Sequence, residues 1–100
     1  MLRRIAAERP ADPFPLYGLA MELRRTGAVE EALAAFAQLA ARAPDYVPQY
    51  LMHGQLLVEL GRAEEARAVL ERGRQAAADK GDAHAASELA AALGDLSKLD

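Results

Sequence analysis

The feature that most narrows the fold is an internal period. Displaced by 34 residues, the sequence falls on itself: Ala20 on Gly54, Leu23 on Leu57, Gly27 on Gly61, Ala32 on Ala66 and Phe36 on Leu70. Glu30-Glu31 falls on Glu64-Glu65 in the same register. A period of this length marks one supersecondary unit used twice, each burying its apolar face by stacking on a neighbour. Small residues at Ala20/Gly54 and Ala32/Ala66 let two helices approach closely, and Leu23/Leu57 with Phe36/Leu70 fill the space beside them.

Punctuation and periodicity agree on helices. Pro10, Pro13 and Pro15 cluster early, and Pro44 and Pro48 bracket a second break. Proline is tolerated in a helix's first turn, so Asp12 before Pro13 and Asp45 before Pro48 predict two helix starts with acidic caps. Gly27 and Gly61 predict the sharp turns that end those helices. Between the breaks, apolar residues recur at three- and four-residue steps: Leu16, Leu19, Ala20, Leu23; then Ala32, Leu33, Phe36, Leu39, Ala40. The series continues as Tyr50, His53, Gly54, Leu57 and as Ala66, Val69, Leu70, Gly73. No stretch alternates with period two, so the predicted fold is all-α.

Composition excludes several roles. A chain of 100 residues with no cysteine has no disulfide framework and no thiolate site. A net charge of -3 argues against non-specific nucleic-acid or membrane binding. The longest apolar run, Ala32 to Ala37, is far too short to span a bilayer. No long apolar stretch follows Arg3-Arg4 before Glu8, Arg9 and Pro10, so no secretory leader is read and a cytoplasmic protein is expected.

Two helices joined by a glycine turn at a 34-residue period resemble the tetratricopeptide repeat family, and residues 13–78 carry that resemblance, with Pro44 closing the first repeat. Departures are Leu16 where an aromatic is common, His53 where leucine is common, Gly73 where alanine is common, and Ala78 at the second closing proline. The expected organisation is one domain: an N-terminal cap over 1–10, repeat one over 13–46, repeat two over 47–80, and a capping helix over 82–99. Leu2 to Arg9 is expected to be a short helix. The last helix is expected to start at an Asp82 N-cap and bury Ala86, Leu89, Ala90, Leu93 and Leu96. That register needs a connection through Asp79-Lys80-Gly81 two residues longer than the strict period, which would bury Ser87 and Glu88 instead.

Candidate chemistry is sparse. His53 and His84 fall in different units, outside any His-Glu-x-x-His pattern. His53 occupies a core-facing slot, and His84 makes an i,i+4 surface pair with Glu88. Glu30-Glu31 and Glu64-Glu65 sit where carboxylates complement a helix dipole, which explains their repetition without catalysis. Serine appears only as Ser87 and Ser97, and no glycine-rich phosphate loop is present. Arg24-Arg25 and Arg72 with Arg74 suit solvated faces near helix ends. No enzyme, metal or cofactor is expected.

The resemblance instead implies a protein-interaction module. In this family the first helix of each hairpin lines a groove, and its outward face here is Phe14, Tyr17, Gly18, Met21, Arg24 and Arg25, then Leu51, Met52, Gln55, Val58 and Glu59. The partner-binding residues expected are Phe14, Tyr17, Met21, Arg24, Leu51, Met52 and Gln55. Family members that clamp an acidic C-terminal peptide place lysine, arginine and asparagine there, so Tyr17, Met21, Leu51, Met52 and Gln55 argue against that clamp. An apolar groove edged by arginine suits an amphipathic helix or an extended apolar peptide. The alternative is a homodimer formed through the same groove.

Overall fold

Glycine and proline decide where four of the described helices stop. The structure, a computed structural model, describes residues 12–98; the expected N-terminal cap over 1–10 lies outside the described residues. Five α-helices follow in order: α1 (Phe14–Arg25), α2 (Val29–Arg42), α3 (Pro48–Glu59), α4 (Ala63–Lys80) and α5 (Ala83–Ser97), with no strand among the described residues. Gly27, Gly61 and Gly81 take left-handed φ angles of 84°, 74° and 71°. At each, the following amide reaches back across the turn: Ala28 N–H to the Leu23 carbonyl, Arg62 to Leu57, and Asp82 to Ala77, all at 2.9 Å. This bond satisfies a carbonyl the helix would otherwise strand, and the φ sign favours glycine.

The chain forms two compact units, one ending at Tyr46 and the other beginning at Val47. In the first, α1 packs on α2. Its core holds Leu16 and Ala20 from α1, and Ala32, Ala35, Phe36 and Leu39 from α2. In the second, α4 packs on both α3 and α5, and α5 also touches α3. Tyr50, Leu56, Leu57, Ala66, Val69, Leu70, Ala77, Leu89 and Leu96 are buried there.

Two close approaches set the packing of the second unit. A Cβ added to Gly54 would overlap the Leu70 side chain, and one added to Gly73 would overlap Cβ of Tyr50 and press Leu89 at 3.1 Å. Gly73 is thus the notch that admits both an aromatic from α3 and a leucine from α5. The first repeat has Leu16 in place of Tyr50 and Leu39 in place of Gly73, so bulk has moved from one helix to the other.

Several local expectations change. Asp12 does supply an acceptor, its Oδ1 taking the Phe14 N–H at 3.1 Å, although Pro13 is the boundary residue. Asp45 does not cap α3. Val47 stands at that boundary, already helical at φ -58°, ψ -41°, with no side-chain cap. Val47 is buried and Pro48 has no N–H to satisfy, so apolar burial fixes this start.

Asp79 and Lys80 are not a connection; they belong to α4, which has 18 residues against 14 in α2. Pro44 forces Ala43 out of the helical region, to φ -139°, and so ends α2. Ala78 imposes nothing of the kind, and α4 runs on to Gly81. Asp82 then caps α5, accepting the Ala85 N–H at 3.1 Å. Leu89 and Leu96 are buried, Ala86 and Leu93 are half-buried, and Ser87 and Glu88 face solvent. Ala90 is exposed, contrary to expectation: the face that α5 buries is centred on Leu89 and Leu96, with Ala85 and Ala92 half-buried on its other side.

Candidate functional site

The residues expected to meet a partner lie on the first helix of each hairpin. On α1, Phe14 is 67% exposed. Tyr17, Met21 and Arg24 are half-buried, and the four follow one line of the helix beside the buried Leu16 and Ala20. Helical geometry puts positions three and four apart on one side, so Phe14, Tyr17 and Met21 form a single stripe. On α3, Leu51 and Met52 are half-buried and Gln55 is exposed, flanked by half-buried Val58 and exposed Glu59. The buried residues of α3 are Gln49, Tyr50, Gly54, Leu56 and Leu57, on the opposite arc.

The structure adds a neighbour to Tyr17. Tyr46, from the segment after α2, sets its ring edge-on to Tyr17, with centroids 5.3 Å apart and an interplanar angle of 63°. Aromatic pairs favour this arrangement because a positive ring edge meets a negative face. Burial raises the Tyr17 hydroxyl above its ordinary pKa, with Arg24 pulling it down. Burial also raises Tyr46, helped by Tyr17 and Asp12. Asp12, Tyr46, Tyr17 and Arg24 are therefore electrostatic neighbours. Neither Asp12 nor Tyr46 follows from helical periodicity, because both stand outside the helices.

Gln49 is also unanticipated: it is fully buried on α3. Its counterpart one period earlier is Pro15, so the repeat carries no signal for a buried polar group there.

The arginine at the edge is less available than its sequence suggests. Arg25 is forked onto Glu22, Nε to Oε1 at 3.0 Å and a terminal nitrogen to Oε2 at 2.6 Å. That bond, and the charge behind it, lower the Glu22 pKa and raise that of Arg25. Arg74 is likewise paired with Glu71 at 3.0 Å.

The remaining candidates take structural places. Glu30-Glu31 and Glu64-Glu65 occupy the first turns of α2 and α4, and Glu65 binds Arg62. His53 is half-buried. Burial pushes its pKa down to about 4, with Arg72 acting the same way, Glu65 opposing, and Arg62 adding to the depression. His84 and Glu88 approach to 3.4 Å on the exposed side of α5. Among the described residues no three His, Cys, Asp or Glu side chains are grouped to hold a metal ion. No helix among them is long and apolar enough to cross a membrane.

Comparison with known proteins supplies the lineage. The family model described as "Tetratricopeptide repeat" matches residues 23–93, carrying the likeness past Ala78 and through most of α5. A tetratricopeptide repeat domain protein from Salinibacter ruber, solved by NMR, is 34% identical, with a TM-score of 0.85. The alignment covers 91% of this chain and 92% of that one.

The TPR2B domain of yeast Sti1, solved in complex with pHsp70, is 17% identical at a TM-score of 0.85, covering 99% of this chain and 79% of that chain. PcrH, solved with the chaperone-binding region of PopD, is 17% identical at a TM-score of 0.84, covering 97% and 74%. These two likenesses are of fold. No curated protein matches the sequence. The repeat register, the paired helical hairpins and the family match together show that the chain belongs to the tetratricopeptide repeat family.

Proposed function

We propose that this chain is a protein-interaction module that holds a partner peptide or helix on the outward faces of α1 and α3. The observation that carries the reading is the apolar character of those faces: Phe14 largely exposed, with Tyr17, Met21, Leu51 and Met52 half-buried. A stripe of this kind outside a helix's own buried core suits a partner surface. Fold relatives solved with pHsp70 and with a PopD segment lend support by analogy of scaffold. Methionine and tyrosine give contact area that adapts to a partner's shape. The chain acts by holding that partner, without catalysis.

Affinity capture from the source cell, comparing wild type with a Tyr17→Ala, Leu51→Ala double variant, identifies a partner dependent on these faces. Titration of that partner should then show each single substitution weakening binding by about 1–2 kcal/mol, as interface anchors do. The circular dichroism of each variant should be unchanged. Melting that collapses while the surviving folded protein binds normally would make these residues packing and remove the reading. A concentration-independent dimer in light scattering, disrupted by the same substitutions, would replace it with self-assembly.

A further inference from the structure

Two hairpins use four of the five described helices, and on α5 the ridge by which a first helix meets its second is uncovered. On α1 that ridge is Leu16, Ala20 and Leu23, and on α3 it is Tyr50, Gly54 and Leu57. Leu16 and Ala20 are buried in the hairpin with α2, and all three on α3 are buried in the hairpin with α4. On α3 the contact is direct, with Gly54 against Leu70 and Tyr50 against Gly73. Two residues beyond the strict period, Ala86, Ala90 and Leu93 hold the matching positions on α5. There Ala90 is exposed, and Ala86 and Leu93 are only half-buried. α5 meets α4 through a different ridge, with Leu89 beside Gly73 and Leu96 buried.

Gly94 is an independent sign of the same vacancy. Glycine inside a helix costs about 1 kcal/mol relative to alanine. Gly54 and Gly73 offset that cost by admitting a side chain from another helix, which a Cβ on either would overlap. A Cβ on Gly94 would meet nothing within 4 Å. Gly94 lies one turn past Ala90, so Ala86, Ala90 and Gly94 form a single i, i+4 ridge, low enough for another helix to approach closely.

We propose that a partner protein supplies the missing second arm: a helix lying antiparallel on this ridge, small at one position and large and apolar four residues on. The chemistry is defined by α2 and α4, whose buried pairs Ala32 with Phe36 and Ala66 with Leu70 belong to the helices that cover α1 and α3. A low ridge needs bulk opposite it, and a second copy of α5, equally small there, would leave a gap. At 15 residues α5 is long enough for a 14-residue second arm such as α2. The ridge uses none of the residues on the α1 and α3 faces, and its occupancy does not depend on theirs.

The sequence of α2 serves as the probe. A capped peptide of residues 28–43 is titrated into the isotope-labelled full chain and followed by NMR. Saturable amide shifts should appear at Ala86, Ala90 and Gly94. Phe36→Ala in the peptide should weaken binding about tenfold, the scale of one buried aromatic anchor. Ala90→Glu in the chain should weaken it by about tenfold or more and leave the rest of the spectrum in place, since Ala90 is exposed. The Tyr17→Ala, Leu51→Ala double variant should bind the peptide like wild type, which keeps this test apart from that of the α1 and α3 faces.

Absence of binding would overturn the proposal, as would binding that Ala90→Glu leaves intact or that the double variant abolishes. Shifts confined to α1 would mean that the peptide replaces α2 in its own hairpin, and would overturn it as well. A concentration-dependent dimer that Ala90→Glu dissolves would give the ridge to a second copy and overturn the partner helix.

Discussion

Gly73 and His53 show how single residues set the terms for their neighbours. The Cβ that Gly73 lacks would strike Cβ of Tyr50, an atom fixed by the α3 backbone, whereas the one Gly54 lacks would meet the movable end of Leu70. Gly73→Ala should therefore destabilise by about 1–3 kcal/mol, outweighing the ~1 kcal/mol that alanine adds in helix propensity. Gly54→Ala should be much milder, since Ala20 already coexists with Phe36 one period earlier. Chemical denaturation of the two variants tests the ranking, and equal effects would contradict the notch at Gly73.

His53 makes stability depend on pH with a definite sign. Its folded pKa of about 4 lies below the ordinary value of 6.5, so between these values the unfolded chain binds the proton more readily. The group's contribution is complete above pH 6.5 and is lost as pH falls towards 4. Allowing for solvent screening of a half-buried ring, the loss at pH 5 is about 1 kcal/mol. His53→Leu should remove that loss, and urea midpoints of both proteins at neutral pH and at pH 5 read it. An identical drop in both would assign the effect to other groups.

At the scale of elements, one proline separates two otherwise matched helices. Pro44 stops α2 after Arg42, while Ala78 lets α4 continue to Lys80 and deliver Asp82 to its capping position. Ala78→Pro should remove an interior hydrogen bond and clash with the preceding turn, a loss of about 3 kcal/mol. It should also lower helicity, because α4 would shorten towards the length of α2. Thermal melts followed by circular dichroism would show both, and an unchanged melting temperature would mean the extra turn of α4 contributes nothing.

For the whole molecule, the terminal helix is the element whose removal is most telling. α5 buries Leu89 and Leu96 against a unit that also contains α3 and α4, and Leu89 lies beside Gly73. Two fully buried leucines represent about 3–6 kcal/mol of apolar burial. A chain ending at Gly81 should therefore melt well below the full protein or lose cooperativity. Cooperative melting at the parent temperature would make α5 an appendage.

The sequence alone determined the helical hairpins, their 34-residue register and their turns, because glycine, proline and apolar spacing act within a few residues of themselves. It also determined the start of α5 at Asp82. Only tertiary structure decided which arc of each helix is covered. Ala90 is exposed although it continues an apolar stripe, and Gln49 is buried although it is polar. Tyr46, outside the helical pattern, meets Tyr17 from the segment after α2, 29 positions along the sequence. The physical reason is common to all three. Burial depends on which distant segments arrive beside a residue, and a periodicity of three or four positions carries no record of them.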